Sequence, residues 1–451
     1  MRSLRAASPF GNTLLIGAGP AGIHVAVDMS RGWSNQLGLL NRQGSHSTAI
    51  RKQLEQNAYT VSTVVQVESR RHLSGEAMID RFYEGYDQIE DKWQTLILCT
   101  PSDSYISVIH DLNLNALHEV RTIFLLSPGI ASNLLVQSLL GTLRDRIEII
   151  SFSTYYAATK FSPGHASVIK SFVKGMKRKI AVGSNKPESR ALSYVQQFLQ
   201  SLGIKCEAVS CPIEAEFRNI TTYVHPPFFI NSFSLNEIFK REASRKFMYK
   251  LYPEGPITPH TIRAMRLLWR EISAVALFFN AMPLNLLKFL NDDNYPVHEI
   301  TLSRDEIEHF VEMEESKQEY LLYVRYASIL IDPFSMPDEN GKYFDFSAVP
   351  YKQVTKNIEG KWRIPRIPYE DYKKLKLLCG LAKKADLAMP QAVSLTEMFE
   401  DRLRAFIREV GSDFIQPEAL KDTTADEVSL IFTEWRKMQQ ANSHNLQGNG
   451  S

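Results

Sequence analysis

The sequence is poor in cysteine, has no long apolar run, and carries almost no net charge. Only four cysteines occur in 451 residues, Cys99, Cys206, Cys211 and Cys379. None forms a Cys-x-x-Cys pair and no spacing suits a zinc knuckle, so they read as reduced, mostly buried thiols. A reducing, cytoplasmic setting is expected. The longest apolar run, near Ile272 to Phe279, falls far short of the ~20 residues that span a bilayer, so no membrane function is expected. The opening MRSLRAASPFGN has two arginines but no apolar segment behind them, and no secretory signal is expected. Lys and Arg number 52 against 50 Asp and Glu, a net charge of +2, which gives no basic field to recruit nucleic acid or an anionic membrane. The eleven histidines include no metal-type pair, and no metal site is expected.

What remains is an ordinary globular composition, 44% hydrophobic and 23% charged, in a chain too long for one domain of about 100–200 residues. The first half alternates apolar runs with helical patterns. Candidate strands are Asn12 to Gly17, Gln36 to Asn41, Thr95 to Thr100, Thr122 to Ser127, Ile147 to Phe152, Lys179 to Ser184 and Ile204 to Ser210. Uninterrupted apolar runs suit strands covered on both faces, and the alternation predicts a Rossmann-type, doubly wound parallel sheet over residues 11–212. Beyond Pro212 the period changes. Ile262, Met265, Trp269, Ile272, Ala276 and Phe279 form one helical stripe, and Leu395, Phe399, Leu403, Phe406 and Val410 form another, opened by a capping-box pattern at Ser394 and Glu397. Residues 213–440 thus read as a mostly helical catalytic domain. The Asn/Gly/Ser-rich end, 441–451, reads as a disordered tail.

IGAGPAG carries the first chemical signal. Gly17, Gly19 and Gly22 form G-x-G-x-x-G between a strand and a helix, with Pro20 and Ala21 opening that helix. The first glycine permits the turn, the second admits a pyrophosphate, and the third lets helix and strand pack closely, with the phosphate on the helix N-terminus. A structural glycine turn is the alternative. NAD and FAD sites usually place an acid about 20 residues on, but no Asp or Glu occurs from Leu37 to Leu54. Arg42 stands there instead, suited to a 2′-phosphate, with Arg51 and Lys52 able to add charge. As a bland alternative Arg42 is a solvated loop cation. The pattern favours NADPH. Thr100-Pro101 and Ser127-Pro128-Gly129 close buried strands where the fold lines its cofactor crevice, and as plain turns they would look the same.

His225, in RNITTYVHPPFF, is the catalytic candidate. The two following prolines predict a rigid, extended backbone, placed where a cleft between the domains is expected. An imidazole there can transfer a proton near neutral pH, though a lone histidine is more often structural. Arg218 and Asn219 could hold a substrate carboxylate, or be surface residues. Arg325 is a second candidate cation, or an ordinary helix-surface arginine. Asp332 is a candidate to orient His225.

Over nearly its whole length the chain resembles the opine dehydrogenases that make nicotianamine-like metallophores, the staphylopine and yersinopine synthase family, most of all its yersinopine-forming branch. The likeness rests on IGAGPAG, ISFSTY (Ile150 to Tyr155), RN-x3-YVHPP, LYPEGPIT, EYLLYVRY and ILIDPFSMPDENGKYFDFSAVP (Ile329 to Pro350). The resemblance implies an NADPH-dependent reductive condensation. The amine of an aminobutyrate-extended, commonly histidine-derived amino acid meets an α-keto acid, pyruvate ahead of 2-oxoglutarate, and the imine is reduced. It implies a homodimer, His225 as proton donor and acceptor, Tyr223 beside the substrate, and Arg42 as phosphate reader. Two departures stand out. The family's second phosphate-reading basic residue falls near Thr48 here, and its Gly-Asp substrate contact is replaced by Ala157-Ala158. An N-hydroxylating flavin monooxygenase would need an acid near Arg42 and usually a second glycine-rich motif, and the sequence has neither. A non-catalytic NADPH sensor would leave His225 idle.

Overall fold

Each apolar run of the first half supplies side chains to both faces of one sheet, which is why these runs do not alternate with polar residues. In β1 (Asn12–Ile16), Leu15 enters one core cluster while Leu14 and Ile16 enter the other. The structure, a computed structural model, describes residues 8–448 apart from 162–166, 243, 245, 294–295, 331–348 and 358. The strands after β1 are β2 (Gln36–Asn41), β3 (Thr60–Val65), β4 (Gly75–Met78), β5 (Arg81–Glu84), β6 (Thr95–Leu98), β7 (Thr122–Leu125), β8 (Glu148–Phe152), β9 (Ala157–Lys160), β10 (Lys170–Met176), β11 (Lys179–Ser184) and β12 (Lys205–Ala208). Eight of them form the main sheet in the order β12-β11-β8-β7-β6-β1-β2-β5, and the other four form a second sheet, β4-β3-β10-β9. Between β6 and β2 the winding reverses about β1, the switch point at which this architecture binds ligands.

The main sheet is parallel except where β11 meets β8. The second sheet explains the exception. After β8 the chain leaves to form the β9–β10 hairpin, in which Ala157 pairs with Met176, so the hairpin ends where it began. The chain therefore re-enters the main sheet at the end it left and must run back antiparallel. Five strands, β3, β4, β5, β9 and β10, lie outside the sequence expectation because none is a continuous apolar run. They are mostly half-exposed, and their side chains are mixed.

Helices α1 (Pro20–Met29), α2 (Ser45–Gln56), α3 (Tyr105–Asp111), α4 (Ser132–Leu140), α5 (Arg190–Ser201) and α6 (Pro212–Phe217) belong to this first unit, which also takes in the chain from Thr433 onward. The unit extends to Arg218 rather than ending at 212, because α6 packs on β8 and β11. Every residue of α1 from Gly22 to Met29 is buried, since the helix contacts β1 and β2 of the main sheet and β3 and β10 of the second.

The second unit, Asn219 to Phe432, is mainly helical. It holds α7 (Ile220–Phe229), α8 (Ser232–Ile238), α9 (Pro259–Phe278), α10 (Leu286–Asp292), α11 (Arg304–Glu308), α12 (Glu315–Leu330), α13 (Arg366–Lys384) and α14 (Pro390–Val410). The stripe from Ile262 to Phe279 is buried throughout, as its period requires. The expected capping box does not start α14. Pro390 occupies its first turn and the Glu271 carboxylate accepts from the N–H groups of Gln391 and Ala392 at 2.7 and 2.9 Å, so Ser394 lies inside the helix. The tail also needs correction. α15 (Thr424–Gly448) continues through most of it. Once Val428 and Ile431 are buried, each further residue adds a backbone hydrogen bond at a small propensity cost.

One buried carboxyl braces the first unit. Glu216 on α6 is fully buried and accepts from Asn133 N and Nδ2, both at 2.9 Å, and from Ser151 Oγ at 2.7 Å. Burial outweighs these donors and pushes its pKa from 4.5 up to about 8. The folded chain thus keeps a proton that the unfolded chain releases near pH 4.5. Glu216's contribution to stability is full below that value and declines as pH rises through about 8. Urea unfolding at pH 5 and pH 8.5 should show the wild type losing on the order of a few kcal/mol, while Glu216→Gln loses less. Equal losses in both proteins would show that the three hydrogen bonds offset burial.

Candidate active site

The glycine turn is built for a ligand. Gly17 has φ +107°, and a Cβ there would meet Thr100 and the Cys99 backbone at 3.0–3.3 Å. A Cβ on Gly22 would lie 2.1 Å from the Gly17 carbonyl oxygen, so only glycine lets α1 approach the end of β1. At Gly19 a Cβ would have nothing within 4 Å. The protein leaves that space open, beside an α1 N-terminus that no side chain caps. Pro20 fits the first turn because its missing N–H would have no partner there. Asn41 Oδ1 accepts from Ala18 N at 3.2 Å, tying the turn to the end of β2. The buried Thr100 hydroxyl, just past β6, has no hydrogen-bond partner among the described residues. An open cradle at Gly19 and an orphaned hydroxyl at the switch point fit a dinucleotide pyrophosphate, with Ala21 in the same first turn. Pro101 is exposed beyond that strand end.

Arg42 is exposed just past β2; its carbonyl accepts from Asn41 Nδ2 at 3.2 Å, while its guanidinium makes no hydrogen bond or ion pair with any described residue. Arg51 differs, because its Nε donates to Glu84 Oε2 at 3.0 Å. Glu84 closes β5 and lies opposite Asn41 in register, so the acid absent from the stretch after β2 arrives from the neighbouring strand. Ser47 and Thr48 also donate to it, at 2.8 and 2.9 Å, and these bonds with Arg51 hold its carboxyl below the usual range. Lys52 is exposed on the same helix.

His225 lies in a helix and not in an extended segment. Asn219 caps α7 by accepting from Thr221 N and Oγ1 at 3.2 and 2.7 Å. Pro226 and Pro227 are accommodated in its later half. A helix-interior proline costs about 3 kcal/mol, but Tyr223, Phe228 and Phe229 are each buried, and each such side chain stabilises by about 1.5–3 kcal/mol. Tertiary packing therefore overrides the local preference. It leaves Thr221 and His225 as the half-buried residues of the helix. His225 Nδ1 lies 3.2 and 3.3 Å from the two carboxylate oxygens of Asp371 on α13, and the Phe229 ring stands edge-on at 5.1 Å. An Nδ1–H donated to Asp371 fixes the tautomer and leaves Nε2 available, with no partner among the described residues.

Asp371 was missed. It lies in the charged run YEDYKK, which reads as a solvated helix face, yet it is only 5% exposed. Asp332, the candidate for this role, lies outside the described residues, as does most of the ILIDPFSMPDENGKYFDFSAVP string. Arg218 is not free for a substrate carboxylate, since Glu207 and Glu214 both accept from it. Asn219 is occupied as a helix cap, and Tyr223 is 2% exposed in the core. Arg325 is not a surface arginine: it is buried on α12 and donates to the Leu290 carbonyl at 2.7 Å. Ala157 and Ala158 open β9, with Ala158 exposed and no anion in place of the family's aspartate. The Ser127-Pro128-Gly129 turn is fixed by Ser132, whose Oγ accepts from Gly129 N at 2.9 Å. Among the described residues no group of three or more His, Cys, Asp or Glu could hold a metal, and no helix is long and apolar enough to cross a membrane.

Comparison with known proteins fits this geometry. The Staphylopine dehydrogenase family profile matches residues 11–435. Pseudopaline synthase of Pseudomonas aeruginosa is 44% identical over 94% of this chain and 97% of its own length. Yersinopine synthase of Yersinia pestis is 33% identical over 94% of this chain and 98% of its own length, so the expected tie to the yersinopine branch is not the stronger one. A yersinopine dehydrogenase solved with NADP+ bound superposes with a TM-score of 0.87 at 32% identity, covering 95% of this chain and 99% of that one. With its glycine turn, its histidine helix and this breadth of likeness, the chain belongs to the staphylopine dehydrogenase family of opine dehydrogenases.

Proposed function

We propose that the protein uses NADPH to condense the primary amine of an aminobutyrate-extended, histidine-derived amino acid with an α-keto acid, giving a nicotianamine-like opine. The observation that carries this reading is His225, tied to Asp371 through Nδ1 and left with Nε2 available for substrate. The names of the relatives and the NADP+ bound to the yersinopine enzyme support it. NADPH supplies a hydride to the imine carbon. The protein's part is to bind, orient and move protons. The turn at Gly17, Gly19 and Gly22 holds the pyrophosphate, Thr100 Oγ1 offers a hydroxyl beside it, and Arg42 meets the 2′-phosphate. His225 Nε2 exchanges a proton with the condensing amine and the carbinolamine oxygen, and Asp371 steadies the charged imidazole. Arg218 is already paired with two carboxylates, so a substrate carboxylate needs another donor, and Arg325 is the candidate that stays. No described side chain separates pyruvate from 2-oxoglutarate, so the assay runs both. A homodimer in the cytoplasm completes the proposal. Its mass is read in solution.

NADPH oxidation in mixtures of amine and keto acid, with mass spectrometry of the product, tests the reaction. No turnover with any pair would leave a nucleotide-binding protein without this chemistry. Arg42→Ala should raise KM for NADPH by roughly ten- to hundredfold and barely move KM for NADH. Equal effects on both would remove Arg42 as the phosphate reader.

The glycines separate a ligand role from a packing role. Gly19→Ala should fold normally and bind nucleotide poorly, because its methyl enters the open cradle. Gly22→Ala should lower the melting temperature or abolish folding, because its methyl meets backbone at 2.1 Å. Normal NADPH affinity in Gly19→Ala would place the pyrophosphate elsewhere.

His225→Ala should lower kcat by ~10²–10⁴-fold with little change in NADPH affinity. Asp371→Asn should cause a smaller fall, roughly ten- to hundredfold, and add nothing in the His225→Ala background. A melting temperature that falls in step with activity would instead mark the pair as structural.

A further inference from the structure

We propose that Glu84 is a positioning residue for cofactor choice: with Phe82 it seats Arg51 as a second cation for the nucleotide 2′-phosphate. This rests on the NADPH reading above. Phe82 and Glu84 are two residues apart on β5, so they share one face of the strand. Both engage the same side chain. The Arg51 guanidinium carbon stands 5.6 Å from the Phe82 ring centre, and its Nε donates to Glu84 Oε2 at 3.0 Å. The other carboxylate oxygen accepts from Ser47 and Thr48 at 2.8 and 2.9 Å. Glu84 is thus held from three sides and turned toward the first turns of α2.

The bond takes Nε and leaves both terminal amino groups of Arg51 without a partner among the described residues. Those are the groups that can meet a phosphate end-on. Their place is suitable. Glu84 is the register partner of Asn41, and Arg42 is the next residue along, so both arginines belong to the end of β2 where the adenosine ribose falls in this fold. A 2′-phosphate near neutral pH carries between one and two negative charges, more than Arg42 alone can balance. Stability does not account for the pair, because partly exposed ion pairs add little. Lys52, by contrast, has no hydrogen bond or ion pair to a described residue that would fix it.

The test is binding, read by NADPH and NADH fluorescence titration on the full-length protein, with melting temperatures measured alongside. Glu84→Gln should weaken NADPH about three- to tenfold and leave NADH unchanged. In an Arg51→Ala background it should add nothing. Phe82→Leu should act in the same direction and serves if Glu84→Gln fails to fold. Tighter NADPH binding in Glu84→Gln would show that the carboxylate only repels phosphate and would overturn the proposal. Equal weakening of both nucleotides, or an undiminished loss in the Arg51→Ala background, would overturn it too. A wild type with no preference for NADPH over NADH would overturn the cofactor reading itself. A wild-type preference that depends on Arg42 but ignores Glu84 would overturn only this inference.

Discussion

The first unit depends on one close approach, that of α1 to the turn after β1. A single added carbon at Gly22 would sit 2.1 Å from the Gly17 carbonyl oxygen. Nothing can yield there, because the obstacle is backbone at the end of a central strand. The approach puts the start of α1 against the sheet at the switch point, and it leaves Gly19 facing open space. One constraint therefore fixes the helix and also clears the cradle. The rigidity of the first step makes the openness of the second useful.

The same helix carries a second consequence. Packed between two sheets, α1 buries its polar residues, and they are only partly satisfied: His24 Nε2 and Asp28 Oδ1 have no hydrogen-bond partner among the described residues. His24 Nδ1 and the Tyr155 hydroxyl are 2.6 Å apart, His24 Nε2 stands 3.2 Å from Asp28, and Tyr156 donates to Asp28 at 2.8 Å. Burial lowers the pKa of His24 and raises that of Asp28, both toward the uncharged form. Tyr155 and Tyr156 lead directly into β9, which Ala157 and Ala158 open. α1 and the start of that strand are thereby joined by hydrogen bonds as well as by packing.

The legible parts of the sequence were those governed by local rules. Apolar runs gave the central strands because burial on both faces leaves no polar alternation. The stripe from Ile262 to Phe279 gave α9, and the three glycines gave the turn. The parts that could not be read depend on distant partners. His-Pro-Pro favours extended chain by itself, and only the packing of Phe228 and Phe229 makes it helical. Asp371 sits among charged neighbours and looks solvated until α13 meets α7. The antiparallel step at β11 follows from a hairpin whose strands are half-exposed and mixed in character, with no apolar run to mark them.

The arginines show how partners separate structural cations from binding cations. From sequence, Arg42 is the preferred reader of a 2′-phosphate, Arg51 can add charge beside it, and Arg218 and Arg325 are candidates for a substrate carboxylate. In the structure Arg218 is neutralised by two carboxylates, and Arg325 is buried against a backbone carbonyl. An anion could recruit Arg218 only by first breaking its two ion pairs, and the cost would offset most of the gain. Arg42 has no such bond to break. Arg51 is intermediate, since its single bond orients the guanidinium and leaves its outer edge unused. Charge alone does not make a side chain a ligand. What matters is the donor capacity left after the fold has been satisfied, and Arg42 and Arg51 keep such capacity at the end of β2, beside the glycine turn.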